Sequence, residues 1–89
     1  GNDTLKISEG NRSMEVSKGN EELKIATGTR TLTIKGDETH TVEAGKYPLT
    51  IKQGDMTVKL DAGKIAMEAA TAIEFKVGGS SLKIEAAAI

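Results

Sequence analysis

Residues 19–62 read GNEELKIAT, GTRTLTIK, GDETHTVEA, GKYPLTIKQ and GDMTVKLDA, and the next glycine stands at position 63. Each unit begins with glycine, and each is nine residues long except the second, which has eight. The same spacing gives GNDTLKISE and GNRSMEVSK before this stretch, from residues 1 and 10, and GKIAMEAA after it, from residue 63. Units of nearly constant length are typical of repeat architectures, in which neighbouring units share one continuous core.

Large apolar side chains occupy alternate positions in these units. With the glycine as position 1, positions 5 and 7 are mostly apolar, and position 3 becomes apolar in the last three units (Tyr47, Met56 and Ile65). Of the 23 large apolar residues, 22 share this parity, and Ile89 is the exception. A period of two predicts β-strands with one buried face. Glycine followed by Asn or Asp predicts a sharp turn. We therefore expect one strand of about six residues and one turn per unit.

The composition indicates that the chain needs copies of itself to build a core. Among 89 residues there are two aromatic side chains, no Cys and a single His. Disulfides, thiolate metal sites and a multi-His site within one chain are thereby excluded. Small chains without such supports depend on oligomerisation. A uniform step with the same face inward predicts a chain that winds around an axis shared by two or three chains.

Charge and hydropathy exclude several classes of protein. The net charge is −1, which argues against a nucleic-acid-binding protein with its basic surface. No apolar run is long enough for a transmembrane helix, and no signal peptide is recognisable. The absence of Met before Gly1 is what we expect of a fragment of a longer protein.

Three segments carry a family resemblance: GNDTLKISEGNRSMEVSKG at 1–19, GDETHTVEAGK at 36–46, and KIAMEAATAIEFKVGGSSLKIE at 64–85. With them, the whole chain resembles the C-terminal needle of VgrG, the valine-glycine repeat spike protein of bacterial type VI secretion systems. It is similar in kind to the central spike of T4-type phage baseplates. The resemblance implies an all-β fold, an intertwined triple-stranded β-helix in which three chains form an elongated prism. The implied protein is a structural homotrimer without cofactor or enzymatic activity.

In this fold, residues 1–77 would form the repetitive shaft and residues 78–89 the C-terminal tip segment. The expected trimer core consists of apolar residues that point to the axis: Leu5, Ile7, Met14, Val16, Leu23, Ile25, Leu32, Ile34, Val42, Leu49, Ile51, Val58, Leu60, Met67, Ile73, Phe75 and Val77. The tip residues expected to bind a partner are Ser80, Ser81, Leu82, Ile84 and Ile89.

The family also implies partners and a location. A sheath and tube apparatus pushes the needle through a target envelope, so its passage through membranes is transient. The needle is cytoplasmic before firing and is then secreted through the type VI apparatus. Its blunt C-terminal end carries a cone-shaped PAAR-repeat protein. The family's N-terminal hub and OB-fold domains, which connect to the apparatus, are absent from these 89 residues.

Two residues depart from the family pattern. His40 takes an inward position that is usually apolar. Three symmetry-related copies could hold a metal ion or an anion at the axis, or could remain neutral rings bonded to each other or to water. Pro48 lies inside a strand pattern and lacks the amide donor, so we expect a local irregularity there.

Position 3 alternates in charge over five units: Asp3, Arg12, Glu21, Arg30 and Glu38. Stacked units would bring opposite charges together, at about 0.2–1 kcal/mol per pair. The alternative is a charge pattern that water solvates.

Other readings of the repeat fit less well. A calcium β-roll has nine-residue repeats but needs a second Gly and a recurrent Asp, which these units lack. A repetitive β-solenoid adhesin or carbohydrate-binding module would need an aromatic or Asn/Asp ladder, and the Asn2, Asn11, Asn20 series stops at Thr29. Amyloid-like stacking is opposed by frequent Lys and Glu.

Overall fold

A computed structural model describes residues 1–87 of the chain. Within that range the regular elements are two strands, β1 (Ala72–Val77) and β2 (Ser80–Glu85), and no helix is present. The regular structure is therefore all-β. The chain divides into two units, Gly1–Glu43 and Ala44–Ile89.

The repeat is visible in the backbone as a series of bends. Three-residue bends cover residues 8–10, 17–19, 26–28, 43–45, 52–54 and 61–63, and each ends at the glycine that opens the next unit. These glycines have φ between +87° and +116°. A side chain at such an angle strains the backbone, whereas glycine adopts it freely. The turn predicted at each glycine is thus found at these six corners.

The eight-residue unit ends differently from the others. Its bend covers only residues 35–36, and Gly36 does not have a positive φ. The missing residue has shortened this corner, and the conformation that requires glycine is lost with it. The corners on either side of Pro48, at 43–45 and 52–54, have the usual three residues. The irregularity expected at Pro48 concerns a strand ladder, which one chain does not form in this region, so it stays a prediction, and the irregular corner of the described repeat is at Gly36.

Between the bends, the described segments of the repeat form no backbone–backbone hydrogen bonds with one another. Outside the two strands, the backbone hydrogen bond among the described residues is from Ala86 N to Thr71 O, at 3.1 Å. Residues 1–70 therefore form no backbone ladder of their own. The strand predicted in each unit is not formed by one chain, because a strand needs a neighbour about 4.8 Å away and successive units do not pair with each other.

The two strands form an antiparallel hairpin with two distinct faces. Ile73 lies opposite Ile84, and Phe75 lies opposite Leu82. The other face is polar, and it carries ion pairs along each strand: Lys76 Nζ to Glu74 Oε1 at 3.2 Å, and Lys83 Nζ to Glu85 Oε1 at 2.9 Å. The alternation predicted for the C-terminal segment thus places its apolar residues on one face of a sheet.

A two-residue loop, Gly78–Gly79, joins the strands. Gly78 has φ of +55° and Gly79 has no positive φ, which matches the signs of a type II′ turn. The boundary between shaft and tip segment, expected after residue 77, coincides with this turn. Paired strands therefore lie on either side of that boundary.

The single chain has no buried core among its described residues. It exposes 10069 Å², whereas a folded monomer of this mass exposes about 5,000 Å² and an extended chain about 13,600 Å². Most of the apolar surface is therefore still accessible, and folding of one chain alone does not hide it.

Candidate functional site: the apolar face of the repeat

The apolar side chains of positions 5 and 7 form the largest chemically uniform feature of the chain. All the expected core residues are exposed in one chain except Ile73, which is half-buried beside β2. An exposed apolar set of this extent marks a surface that a partner covers. Outside the hairpin, the structure therefore buries none of these residues against another part of the chain.

Positions 5 and 7 differ consistently in exposure. Position 7, from Ile7 to Leu60, is 42–46% exposed, whereas position 5, from Leu5 to Met67, is 56–68% exposed. Position 7 immediately precedes the bend. At one corner, Ile25 Cγ2 lies 3.9 Å from where a Cβ on Gly28 would be, whereas nothing lies within 4 Å of the same point at Gly10, Gly19 or Gly45. The lower exposure of position 7 is therefore a regular feature of the described repeat, but a close approach to the corner glycine is found at Gly28 alone among these four corners.

The expected tip residues fall on β2, apart from Ile89, which lies outside the described residues. Ser80, Leu82 and Ile84 point to the apolar face, and Ser81 stands opposite Lys76 in the register. A shallow concavity of about 270 Å³ is lined by Phe75, Val77, Ser80, Ser81 and Leu82. One edge of β2 pairs with β1, and its other edge has no strand partner in residues 1–87. Backbone groups on that edge are available for strand addition.

Sequence reasoning missed the hairpin itself. It assigned residues up to 77 to the shaft and residues 78–89 to a separate tip segment, and did not predict that the two would pair with each other. The signal was present: two glycines in succession, flanked by the alternating segments AIEFKV and SSLKIE, are a recognised two-residue hairpin turn.

His40 lies in the segment between the bends at 35–36 and 43–45. Within the described part of one chain, no group of three or more His, Cys, Asp or Glu side chains could hold a metal ion. An axial ion site would therefore have to be assembled from His40 of several chains.

Residues 1–87 contain no helix that is long and apolar enough to cross a membrane. Comparison with protein-family models, with curated proteins and with solved structures found no match for this chain.

Proposed function

We propose that this chain is the shaft and tip of a homotrimeric needle, the structural spike of a type VI contractile injection apparatus. Its work is mechanical. The needle punctures the envelope of a target cell and carries a tip protein and effectors with it. One observation carries the proposal: residues 1–70 have alternating exposed apolar side chains and form no backbone–backbone hydrogen bonds with one another.

One arrangement can satisfy both the unpaired backbone groups and the exposed apolar side chains. Backbone N–H and C=O groups that leave water must find hydrogen-bond partners, and the apolar face must be hidden from water. An intertwined triple-stranded β-helix meets both needs, because each segment pairs with segments of other chains while its apolar side chains point to the common axis. The bends, nine residues apart, supply the corners at which a chain passes from one face of the prism to the next.

Stiffness follows from this arrangement. A closed three-chain prism has no free lateral sheet edge, and the opening of one chain is opposed by hydrogen bonds to both neighbours. Unfolding must then break many interchain bonds together, which makes the assembly kinetically stable. That property suits a rod that is driven through an envelope under load.

The C-terminal hairpin provides the platform for the tip protein in this proposal. The free edge of β2 and the apolar residues Leu82 and Ile84 give a PAAR-repeat protein both backbone groups and apolar area. The sheath and tube would act through domains that these residues do not contain. The needle would stand in the cytoplasm before firing and be secreted on firing.

The test is the solution mass of residues 1–89 by multi-angle light scattering, together with retention of a purified PAAR-repeat protein. A trimer with a β-type circular dichroism spectrum that retains the PAAR-repeat protein supports the proposal. A folded monomer would overturn it, and a folded monomer that binds oligosaccharides would favour the adhesin or carbohydrate-binding alternative.

A further inference from the structure

The charged side chains of the repeat alternate in sign from unit to unit at several positions, not at position 3 alone. When the eight units of residues 1–70 are aligned on their first glycine, 20 of their 21 charged residues have a charged residue at the same position in an adjacent unit. These residues form fourteen adjacent pairs, and every pair joins an acidic residue to a basic one. Glu22 is the single charged residue outside the pattern.

The pairs fall into five columns, each of which occupies one position of the repeat. The columns are position 3 (Asp3, Arg12, Glu21, Arg30, Glu38), position 2 (Asp37, Lys46, Asp55, Lys64), position 8 (Lys35, Glu43, Lys52, Asp61), position 6 (Lys6, Glu15, Lys24, and then Lys59, Glu68) and position 9 (Glu9, Lys18). The columns overlap along the chain: position 2 becomes charged at Asp37, in the unit where the charges of position 3 end.

Strict alternation of sign constrains which units are neighbours. Signs assigned independently would give like and unlike pairs equally often, whereas here every pair is unlike. Cross-strand pairs of opposite charge are stabilising, and like charges placed directly opposite are destabilising. The pattern therefore fits a parallel arrangement in which unit n lies in register beside unit n+1. If unit n lay beside another unit n, or beside unit n+2, like charges would meet.

The structure shows that these neighbours do not belong to one chain. Among residues 1–87 the ion pairs are Lys59–Asp61, Lys76–Glu74 and Lys83–Glu85, each between residues two apart. None of them joins adjacent units, and no backbone hydrogen bond joins adjacent units either. The partner for each column is consequently a second copy of this chain.

We propose that these five columns form an interchain charge ladder, which fixes the register of three parallel, symmetry-related chains: on each face of the prism, unit n of one chain lies beside unit n+1 of the next. The inference rests on the proposed trimer and adds to it the surface by which the chains recognise each other. Position 3 matters most, because it shares the parity of the apolar face. A charge there is partly withdrawn from water and is costly when no opposite charge meets it.

A pair of variants tests the order of charges separately from their number. In the exchanged variant, Arg12→Glu is combined with Glu21→Arg, so that composition and net charge are unchanged but two like pairs arise in position 3. In the inverted variant, Asp3→Arg, Arg12→Glu, Glu21→Arg, Arg30→Glu and Glu38→Arg reverse every sign and keep the alternation.

In low salt we expect the exchanged variant to melt at least about 4 °C below the unaltered chain, and the inverted variant to melt close to it. In about 1 M salt the Debye length falls to about 3 Å, and we expect the difference to shrink. An exchanged variant that melts with the unaltered chain in low salt would overturn the ladder.

A mixing experiment tests recognition directly. Unaltered and inverted chains with different affinity tags are unfolded together, refolded at equal concentration, and analysed by native mass spectrometry. In a mixed trimer every contact between the two kinds of chain places like charges beside each other in position 3, so we expect the chains to sort into unmixed trimers. Trimers of random composition would overturn the ladder and leave the needle intact. Failure of the unaltered chain to form trimers would overturn the proposed function instead.

Discussion

Ile73 and Ile84 lie directly opposite each other on the apolar face of the C-terminal hairpin, and Ile73 is the one large apolar residue of the described chain that β-pairing leaves half-buried. Every other large apolar residue of residues 1–87 is exposed. The partner of Ile73, Ile84, is 42% exposed, as is Ile34, which has no paired strand, so one neighbouring strand hides little of an apolar side chain. In the proposed needle, partner chains cover the apolar face both by strand pairing and by packing across the common axis.

The first prediction concerns position 5 of the repeat, whose side chains face the axis in the proposed trimer. Leu32→Asp would place three carboxylates near one axis, and we expect the variant to lose the trimer, because like charges removed from water strongly oppose assembly. Thr33→Asp is the matched control, with the same new charge one residue away on the opposite face. Light scattering should show a trimer for the control alone. A soluble, intact Leu32→Asp trimer would show that position 5 does not face the axis.

The second prediction uses the difference between two corners. Gly28 has φ of +116° and Gly36 has no positive φ. Neither site has an obstacle to a Cβ closer than 3.9 Å, so only backbone conformation separates them. We expect Gly28→Ala to destabilise the assembly by about 1 kcal/mol or more per chain, and Gly36→Ala to be neutral or slightly stabilising. Thermal melting at one protein concentration compares them, and equal effects would contradict the prediction.

The third prediction concerns the tip. Removal of residues 72–89 deletes both strands of the hairpin and ends the chain beyond the last bend, so we expect the trimer to remain and binding of a PAAR-repeat protein to be lost. A cut after Val77 is less informative, because it leaves β1 without the strand that pairs with it. Surface plasmon resonance with the PAAR-repeat protein measures the loss. Undiminished binding would place the cap elsewhere on the needle.

Leu82→Glu in the full chain serves as the point variant for the same test, because Leu82 lies on the apolar face and lines the concavity beside Phe75. Lys83→Glu changes the neighbouring residue on the polar face of β2. Weaker binding for the first variant and a smaller effect for the second would indicate that the apolar face contacts the cap.

The fourth prediction concerns His40, which takes the position that is apolar in the other seven units. Near the axis of the trimer its ring nitrogens would be withdrawn from water, and a buried polar group costs free energy unless it is fully hydrogen-bonded. We therefore expect His40→Leu to raise the melting temperature of the trimer, unless the three rings hold an ion. Thermal melts of the two proteins, with elemental analysis for metal, make the comparison. A His40→Leu trimer that melts no higher than the unaltered one, with no metal found, would remove His40 from the axis.

The sequence predicted the local features of this structure better than its pairing. The corners at Gly10, Gly19 and Gly28 follow from the intrinsic freedom of glycine, which a sequence displays directly. The alternation of Ile73, Phe75 and Val77 likewise predicted which face of β1 is apolar. The shortened corner at Gly36 could be noticed as an eight-residue spacing, but its φ could not be read from the spacing.

Strand pairing depends on which segment lies beside a strand, and it is in strand pairing that the predictions and the structure differ. The partner of AIEFKV (β1) is β2, which begins directly after the turn of two glycines, so a single chain can form that contact. TLTIK has the same alternation and no partner in its own chain. The intertwined fold, the cap and the apparatus remain predictions for this reason, since each concerns other molecules.

The position of the hairpin bears on how such a needle would form. Within the described chain it is the one element that is hydrogen-bonded without a partner, and hairpins close in about 1–10 μs. All remaining strand contacts of the proposed trimer are encounters between molecules, which depend on concentration and are far slower. Strand formation would thus begin at the hairpin, which follows the repeat, and extend toward Gly1 as the three chains meet. The repeat would gain its paired strands only when the chains come together, since its units form no backbone ladder within one chain.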